Sequence, residues 1–317
     1  MEIDDFPRLE LGFFPTPLHR LDRLSAALGA ELWIKRDDLT GLGGGGNKVR
    51  KLEYLLADVL ASGQTTVVTG GGYQSNFARQ TAAACAKLGL RCVLGLRDGY
   101  LDNAEYTDGG NVFLDQLFGA EVRKYPGIGS KAAVRRAAAE LAAEGVDAYV
   151  VPVGGSNAIG SLGYVRAARE LLADGPFDAV VVAASSCGTA AGLAVGLAAD
   201  GSRAELVGMC VDSDAAATGA LIGRLAAQLH DLGLPSEPLH CRAPDHARGP
   251  GYGVPTPEMR RAVHLLAETE GIVLDPVYSG KAFAGLLTEL RQGRLGGRVV
   301  FVHTGGLPSL FPYRSEL

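Results

Sequence analysis

The stretch GGGGNKVRK, residues 43–51, decides how the rest of this chain of 317 residues is interpreted. Four consecutive glycines disfavour a helix or a strand because glycine loses the most backbone freedom on folding, but they allow close approach to a ligand. Apolar residues then recur at helical spacing from Leu52 to Leu60, and Gly63 is placed to end that helix. Lys48 therefore stands between a glycine loop and a predicted helix start.

Three explanations of Lys48 follow. The positive end of the helix dipole and partial desolvation both favour a neutral amine, so Lys48 is a candidate Schiff-base lysine for an aldehyde cofactor. A P-loop is excluded, because Asn47 separates the last glycine from Lys48 and Val49 has no hydroxyl for magnesium. The third explanation is a flexible surface turn with a solvated lysine. The stretch alone leaves the first and the third open.

Composition indicates a globular protein with a sizeable core and argues against nucleic acid as the main partner. Hydrophobic residues make up 47% of the chain, charged residues make up 21%, and the formal net charge is -5.

Residues 1–11 have no apolar signal segment. The uncharged run 179–199 contains a polar centre and has no basic anchors, which favours a buried strand, loop and helix over a membrane span. We therefore expect a cytoplasmic protein with no membrane partner.

The five cysteines show no CxxC spacing, so we expect reduced thiols. His240, Cys241 and His246 lack a second ligand pair at a metal spacing, and no metal site is predicted.

Strand and helix patterns alternate along the chain, which predicts an α/β fold with parallel sheets covered on both faces. After the glycine loop, strands are predicted at 65–69, 90–96, 121–125, 148–153, 179–183, 206–211 and 298–303, with a further strand before it at 31–35. Helices are predicted at 75–88, 111–118, 131–144, 159–173, 189–199, 215–232, 257–270 and 279–292. In such sheets, ligands bind at the carboxyl ends of the strands.

The loop Ser185-Ser186-Cys187-Gly188-Thr189 lies between a predicted strand and helix. Its small side chains expose backbone N–H groups at a helix N-terminus, which makes it a candidate phosphate site. A turn that only lets the strand and the helix pack closely explains it equally well.

Polar residues also follow other predicted strands. Ser75 and Asn76 open a helix, where they could bind a carboxylate and a ring oxygen or could act as an N-cap. The hydroxyl of Thr304 could meet a ring nitrogen. Tyr252 and Tyr278 are flanked by turn residues and are available for stacking or proton transfer, although buried core tyrosines are the commoner case.

These segments together resemble the D-cysteine desulfhydrase and 1-aminocyclopropane-1-carboxylate (ACC) deaminase family. The matching motifs are GGNKVRKLE (45–53), QSN (74–76), GT (188–189), GYG (251–253), DPVY (275–278) and HTGG (303–306). The resemblance covers nearly the whole chain. It implies a fold-type-II pyridoxal 5′-phosphate (PLP) enzyme similar to the tryptophan synthase β chain, with two domains that each contain a mainly parallel sheet. The large PLP-binding domain would comprise 1–47 and 160–317, and a smaller inserted α/β domain would comprise 48–159.

The resemblance also implies roles for individual residues. Lys48 would bind PLP as a Schiff base and carry a proton, and Ser75 would take the substrate carboxylate. Tyr252 and Tyr278 would flank the ring and the substrate, with Tyr278 a candidate acid/base or nucleophile. The cofactor-binding residues would be Asn47, Lys48, Lys51, Asn76, Ser185, Ser186, Cys187, Gly188, Thr189 and Thr304.

Two features bear on the substrate. Ser279 and Thr304 stand where ACC deaminases carry glutamate and leucine; a hydroxyl leaves the pyridine nitrogen largely neutral, which suits β-elimination and disfavours cyclopropane opening. Tyr73 and Phe77 replace a smaller aliphatic and a polar residue around QSN, and we expect Phe77 to place an aromatic wall near the substrate.

The sequence therefore predicts a PLP-dependent lyase that eliminates a β-substituent from a small amino acid, such as D-cysteine or a cysteate-type sulfonate, and the resemblance implies a homodimer. The products would be a keto acid, ammonia and the leaving group. ACC deamination or β-replacement, and a PLP-binding protein without turnover, remain alternatives. A nucleotide-binding oxidoreductase is disfavoured because no GxGxxG motif follows a strand.

Overall fold

The structure is a computed structural model that describes residues 2–234 and 240–317. The strands are β1 (Leu18–Arg20), β2 (Glu31–Lys35), β3 (Thr66–Gly72), β4 (Arg91–Arg97), β5 (Glu121–Lys124), β6 (Ala148–Val150), β7 (Ala179–Ala184), β8 (Glu205–Cys210), β9 (Cys241–Arg242) and β10 (Arg298–Val302). The α-helices are α1 (Asp22–Leu28), α2 (Lys48–Ser62), α3 (Asn76–Leu88), α4 (Ala104–Asp108), α5 (Gly110–Leu117), α6 (Ser130–Ala143), α7 (Ala158–Ala173), α8 (Gly188–Ala199), α9 (Ala215–Asp231), α10 (Pro257–Glu270), α11 (Ser279–Arg291) and α12 (Leu307–Leu310).

The described residues form two sheets, which confirms the predicted α/β fold. One sheet has six strands in the order β1-β2-β10-β7-β8-β9, and the other has four in the order β5-β4-β3-β6. Within the described ranges, every strand pair is parallel except β1 with β2. The four-stranded sheet lies inside the segment predicted as the smaller domain, whose boundaries at 48 and 159 stay a prediction.

The uncharged run 179–199 forms a buried strand, a turn and a buried helix, as predicted. Strand β7 is central in the six-stranded sheet and is apolar along its length, which suits a strand covered on both faces. Helix α8 packs on α7 so closely that a Cβ at Gly192 would lie 2.3 Å from the Ser161 carbonyl oxygen. Glycine is therefore required where these two helices cross.

Some short elements were not predicted, and one prediction was too long. Strand β1 has three largely exposed residues and β9 has two, so neither carries a hydrophobic pattern of its own. Helices α1, α4 and α12 have four to seven residues, too few for a clear helical period. The strand predicted at 148–153 ends at Val150, before Pro152. Tertiary pairing, not local pattern, defines these segments.

The carboxyl ends of three strands are adjacent to the predicted site segments. Strand β3 leads through residues 73–75 into α3, and β7 leads through 185–187 into α8. Strand β10 leads into residues 303–306. This is the edge at which parallel sheets bind ligands.

Candidate active site

Lys48 is the first residue of α2 and directly follows the glycine loop. Its side chain is partly exposed, and its Nζ donates to no residue of the described ranges. Burial lowers the pKa of Lys48 from 10.5 to about 8, although the negative charge of Asp275 acts in the opposite direction. A larger share of Lys48 is therefore a neutral, nucleophilic amine near neutral pH than of an ordinary lysine.

The glycine loop is fixed to the protein and is not a flexible surface turn. All four glycines at 43–46 have positive φ, between 59° and 127°. Arg79 on α3 donates to the carbonyl oxygens of Gly43 and Gly45. A Cβ at Gly45 would lie 2.0 Å from the Asp38 carbonyl oxygen, so only glycine fits there. Sequence reasoning missed Arg79, because nothing in the local pattern relates it to the loop.

Asn47 connects three parts of the predicted site. Its backbone N–H donates to the Thr304 carbonyl oxygen at 3.0 Å, and its Nδ2 donates to Thr189 Oγ1 at 3.1 Å. The Thr304 side chain is 8% exposed, and its hydroxyl donates to no described residue. The loop after β10 and the start of α8 are thereby held against the start of α2, with the Thr304 hydroxyl free.

Lys51 is a fully buried cation without an acidic partner. Its Nζ donates to the Gly154 carbonyl oxygen at 3.1 Å and to Ser156 Oγ at 3.0 Å. Within residues 2–234 and 240–317 no carboxylate lies within ion-pair distance of it. Burial and then the charge of Lys48 lower the pKa of Lys51 well below 10.5. A bound anion would stabilise the ammonium form of this buried amine, so Lys51 and its free donor favour an anion beside them.

The predicted phosphate loop surrounds the same point. A Cβ at Gly188 would lie 2.9 Å from Lys51 Nζ and 2.8 Å from Ser156 Oγ, so the absence of a side chain leaves space beside both groups. Ser156 Oγ donates to Ser186 Oγ at 2.8 Å and accepts from Gly188 N at 3.3 Å. Ser185 Oγ donates to Asp212 Oδ2 at 2.5 Å.

Ser156 lies in the candidate site, and sequence reasoning did not single it out. The segment Gly154-Gly155-Ser156 follows β6 and precedes α7, just as residues 185–187 lie between β7 and α8. A run of small residues between a strand and a helix could have indicated a ligand site here. The same pattern occurs in segment 154–156 and in segment 185–187.

Cys187 has a positive φ of 64°, and burial raises the pKa of its thiol to about 12. A thiolate is therefore not available at this loop.

Ser75 and Asn76 begin α3 as predicted. Ser75 Oγ accepts from the Ala78 N–H at 3.2 Å, so it is an N-cap, and its hydroxyl proton remains available. Asn76 Oδ1 accepts from Asn111 Nδ2 at 3.0 Å, which leaves the Asn76 amide nitrogen free to donate. Asn111 was predicted only as a helix residue, because its contact with Asn76 spans 35 positions.

Tyr252 and Tyr278 are brought together, with their hydroxyl oxygens 2.7 Å apart. Their ring centroids are 5.9 Å apart in an edge-on arrangement. Burial raises the pKa of both hydroxyls well above 10. Both tyrosines therefore remain protonated and can donate, which does not favour Tyr278 as a phenolate nucleophile near neutral pH.

Asp275 orders the segment that carries Tyr278. Its carboxylate accepts from the backbone N–H groups of Val277, Tyr278 and Ser279, each at 2.8 to 2.9 Å, and from Ser279 Oγ at 2.6 Å. Burial raises the pKa of Asp275, although these hydrogen bonds act in the opposite direction. The Ser279 hydroxyl is thus hydrogen-bonded to Asp275, and both residues are fully buried.

Lys281 is a further buried lysine, and sequence reasoning did not single it out. Its Nζ donates to the carbonyl oxygens of Val211 at 3.2 Å, Arg248 at 2.7 Å and Gly251 at 2.7 Å. Gly251 directly precedes Tyr252, so Lys281 holds the loop that places this tyrosine. Burial lowers the pKa of Lys281 to about 8.

Phe77 packs against the turn that follows β6. Phe77 is 2% exposed, and its ring lies where a Cβ at Gly155 would be 2.7 Å from it, next to Leu55. Phe77 therefore supports the turn that carries Ser156, and the aromatic wall near the substrate stays a prediction.

Metal-binding clusters and membrane-spanning helices are absent from residues 2–234 and 240–317. Among them, no group of three or more His, Cys, Asp or Glu side chains is arranged to hold a metal ion. In the same part of the chain, no helix has the length and apolar character needed to cross a membrane.

Two curated D-cysteine desulfhydrases resemble this chain along nearly its full length. A D-cysteine desulfhydrase of Yersinia enterocolitica is 46% identical over 325 aligned positions, which cover 100% of this chain and 98% of that protein. A D-cysteine desulfhydrase of Klebsiella pneumoniae is 46% identical and covers 98% of each chain.

Solved structures and a family model are also similar to nearly the whole chain. The structure of an ACC deaminase homologue superposes with a TM-score of 0.92 at 41% identity and covers 99% of this chain and 96% of that one. Threonine deaminase isoform 2 of Solanum lycopersicum, at 15% identity and a TM-score of 0.70 over 96% of this chain and 87% of that one, shares the fold. The model of the family described as pyridoxal-phosphate dependent enzyme matches residues 9–305. A match over nearly all of the chain, with relatives similar along their full length, means that this protein belongs to the pyridoxal-phosphate dependent enzyme family.

Proposed function

We propose that this protein is a PLP-dependent lyase that removes a β-substituent from a small amino acid, in the manner of D-cysteine desulfhydrase. The observation that carries the proposal is the proximity of two unlike lysines at the start of α2. Lys48 has a lowered pKa and a free amine, and Lys51 is buried beside an open cradle with no acidic partner. The full-length similarity to D-cysteine desulfhydrases supports the choice of reaction.

The residues present fit PLP. Lys51, Ser156 and the unfilled space at Gly188 suit a phosphate, because they combine a buried cation, a hydroxyl and a close backbone approach. Asn76 has a free amide donor for the ring oxygen, and Thr304 has a free hydroxyl for the ring nitrogen. When bound, PLP supplies an aldehyde that condenses with amines and a conjugated ring that accepts the electron pair released at the substrate Cα.

The residues of this chain perform the remaining tasks. Lys48 would hold the cofactor through its amine, and the same amine, once free, would take the proton from the substrate Cα. The N-terminus of α3 and the Ser75 hydroxyl bind the substrate carboxylate, because backbone N–H groups and the helix dipole favour an anion there. Tyr278, supported by Tyr252, donates a proton to the leaving group, since both hydroxyls stay protonated.

For D-cysteine the overall reaction balances with one water. The Cα–H and Cβ–S bonds break, a Cα–Cβ double bond forms, and sulfur leaves with the electron pair and a proton as hydrogen sulfide. The 2-aminoacrylate that is released reacts with water to give pyruvate and ammonia.

The position of Ser279 supports elimination over cyclopropane opening. Because its hydroxyl is bound to Asp275, Thr304 is the hydroxyl left for the ring nitrogen, and a neutral donor leaves that nitrogen largely unprotonated. This arrangement suits the loss of a good leaving group.

The purified protein, loaded with PLP, tests the proposal. We expect a visible absorbance band that is lost in Lys48→Ala and retained in Lys87→Ala, a variant of an exposed lysine on α3. We expect keto acid from D-cysteine or from 3-chloroalanine, whose chloride leaves readily. Absence of the band, or of keto acid from every β-substituted amino acid, would contradict the proposal.

Three further predictions belong here as proposals. The chain forms a homodimer, and sedimentation velocity tests this by measuring the mass of the protein in solution. Its two domains comprise 1–47 with 160–317, and 48–159, which limited proteolysis tests. It works in the cytoplasm, which fractionation of the native cells tests.

A further inference from the structure

Asn111, the second residue of α5, is fully buried and contacts the turn that carries Ser75 and Asn76. Its Nδ2 donates to the Gln74 carbonyl oxygen at 3.1 Å and to Asn76 Oδ1 at 3.0 Å. Its Oδ1 accepts from no residue within 2–234 and 240–317. Both protons of the Asn111 amide are therefore used, and both acceptors belong to the segment that opens α3.

Gln74 holds the backbone of Asn111 in the same place. Its Oε1 accepts from the Asn111 N–H at 2.9 Å, and its Nε2 donates to the carbonyl oxygens of Tyr106 and Gly109 at 2.7 and 3.0 Å. Gly110 leaves room for this side chain, since a Cβ there would lie 2.5 Å from Gln74 Oε1. Because the two carbonyl groups can only accept, they fix which end of the Gln74 amide is the nitrogen, and the start of α5 is fixed in turn.

The orientation of the Asn76 amide follows from these contacts. A backbone carbonyl can only accept, so the Gln74 carbonyl requires the nitrogen of the Asn111 amide on its side. That nitrogen presents its second proton to Asn76, which therefore accepts through its oxygen. The Asn76 nitrogen is thereby turned away from Asn111, and it donates to no residue in the described part of the chain.

We propose that Asn111 is a positioning residue for the cofactor, because it fixes the Asn76 amide so that its nitrogen, and not its oxygen, meets the PLP ring oxygen. The inference rests on the proposed function, in which Asn76 donates to that ring oxygen. If the Asn76 amide is rotated by 180°, it presents an acceptor to the ring oxygen instead of a donor, so repulsion replaces a hydrogen bond. Asn111 acts only through Asn76, since both of its own amide protons are used within the protein.

Asn111→Asp removes one of the two roles of the amide nitrogen and tests the inference. A carboxyl group carries at most one proton, which goes to the Gln74 carbonyl because that group cannot exchange its oxygen for a donor. Asn76 then turns its nitrogen toward position 111, and its oxygen faces the PLP ring oxygen. Equilibrium dialysis of the unloaded protein compares PLP with 3-deoxypyridoxal 5′-phosphate, which lacks the ring oxygen. We expect the affinity for PLP to fall roughly 10- to 100-fold relative to the affinity for the 3-deoxy compound.

Asn111→Ser keeps the test available if a buried carboxyl group prevents folding. A serine hydroxyl also has a single proton but carries no charge, and its lone pairs can accept from the Asn76 nitrogen. We expect the same ratio of affinities to fall in the same direction by roughly 3- to 10-fold, since the shorter side chain holds Asn76 less firmly.

Two comparisons separate positioning from a loss of structure. Asn76→Ala lowers the same ratio, and the addition of Asn111→Asp lowers it no further, because Asn111 acts through Asn76. Asn103→Asp makes the matched exchange at an exposed position, where the side-chain oxygen caps α4 by accepting from the Tyr106 N–H at 2.9 Å. Aspartate caps a helix as well as asparagine does, so this variant leaves the ratio unchanged.

Other outcomes separate this inference from the proposed function. An equal loss for PLP and the 3-deoxy compound in Asn111→Asp would mean that Asn111 only supports the fold, and would overturn the inference. Unchanged affinities for both compounds, or a further fall of the ratio in the Asn76→Ala background, would overturn it as well. If PLP binds but no β-substituted amino acid gives keto acid, the proposed function fails, while the affinities still decide the inference. If the protein binds neither compound, both proposals fail.

Discussion

Lys51 and Lys281 are both fully buried lysines, and neither has a carboxylate within ion-pair distance in the described part of the chain, yet their surroundings differ. Lys281 donates to three carbonyl oxygens, which uses every donor of an ammonium group. Lys51 donates to two oxygen atoms and faces the space that a side chain at Gly188 would fill. A buried lysine whose three donors are all used stabilises the structure, whereas a buried lysine with a free donor can bind a ligand.

Lys48 extends this comparison. Its Nζ has no donor contact in residues 2–234 and 240–317, and its side chain is partly exposed. The three lysines thus form a series in which three, two and none of the donors are used. The series suggests a structural role for Lys281, a binding role for Lys51 and a reactive role for Lys48.

The largest effect is expected for Lys281→Met, which keeps the length of the side chain but removes all three donors. One buried and two partly buried carbonyl groups lose a partner, so the free energy of unfolding falls by about 3–5 kcal/mol. Chemical denaturation at pH 7 measures it, with Lys87→Met as the control on an exposed lysine. An unchanged stability would mean that Lys281 is not a structural lysine.

Lys51→Met is expected to act on the ligand instead of the fold. Loss of the free charged donor lowers the affinity for PLP by about 2–3 kcal/mol, or roughly 30- to 150-fold. The stability of the protein without PLP falls far less than in Lys281→Met, because a desolvated cation is removed along with its contacts. Titration with PLP and with pyridoxal, which lacks the phosphate, gives the measurement; an equal loss for both ligands would argue against a phosphate contact.

The sequence supported the prediction of Lys48 and Lys51 because both lie in one continuous motif at a helix start. It did not point to Lys281, whose three acceptors lie at 211, 248 and 251 and are brought together only by folding. The same reason explains why Ser156, Asn111 and Arg79 were missed. The α/β fold followed from alternating patterns along the chain, whereas the two-residue strand β9 depends on its partner β8. Local signals predict what neighbouring residues do, and contacts between distant residues require the structure.

Gly188→Ala tests the space next to Lys51. The new Cβ would lie 2.9 Å from Lys51 Nζ and 2.8 Å from Ser156 Oγ, so it competes with the phosphate for that position. We expect a loss of roughly 10- to 30-fold in PLP affinity, or about 1.4–2 kcal/mol. Gly219→Ala on α9 is the matched control, since a Cβ there meets no atom within 4 Å. If both variants bind PLP equally, the space at Gly188 is not a phosphate site.

The smallest effect concerns the protonation of Lys48. Its pKa is lowered from 10.5 to about 8, so the neutral amine that combines with PLP increases as the pH rises and reaches half of the population near pH 8. The rate of PLP uptake should therefore increase about tenfold from pH 7 to pH 9 and then level off. Stopped-flow absorbance on the protein without PLP measures this rate, with the free aldehyde chemistry of PLP corrected by N-α-acetyl-lysine under the same conditions. A rate that continues to rise in proportion to the hydroxide concentration up to pH 10.5 would show that Lys48 titrates as an ordinary lysine. A lowered pKa would then no longer explain a reactive role for Lys48.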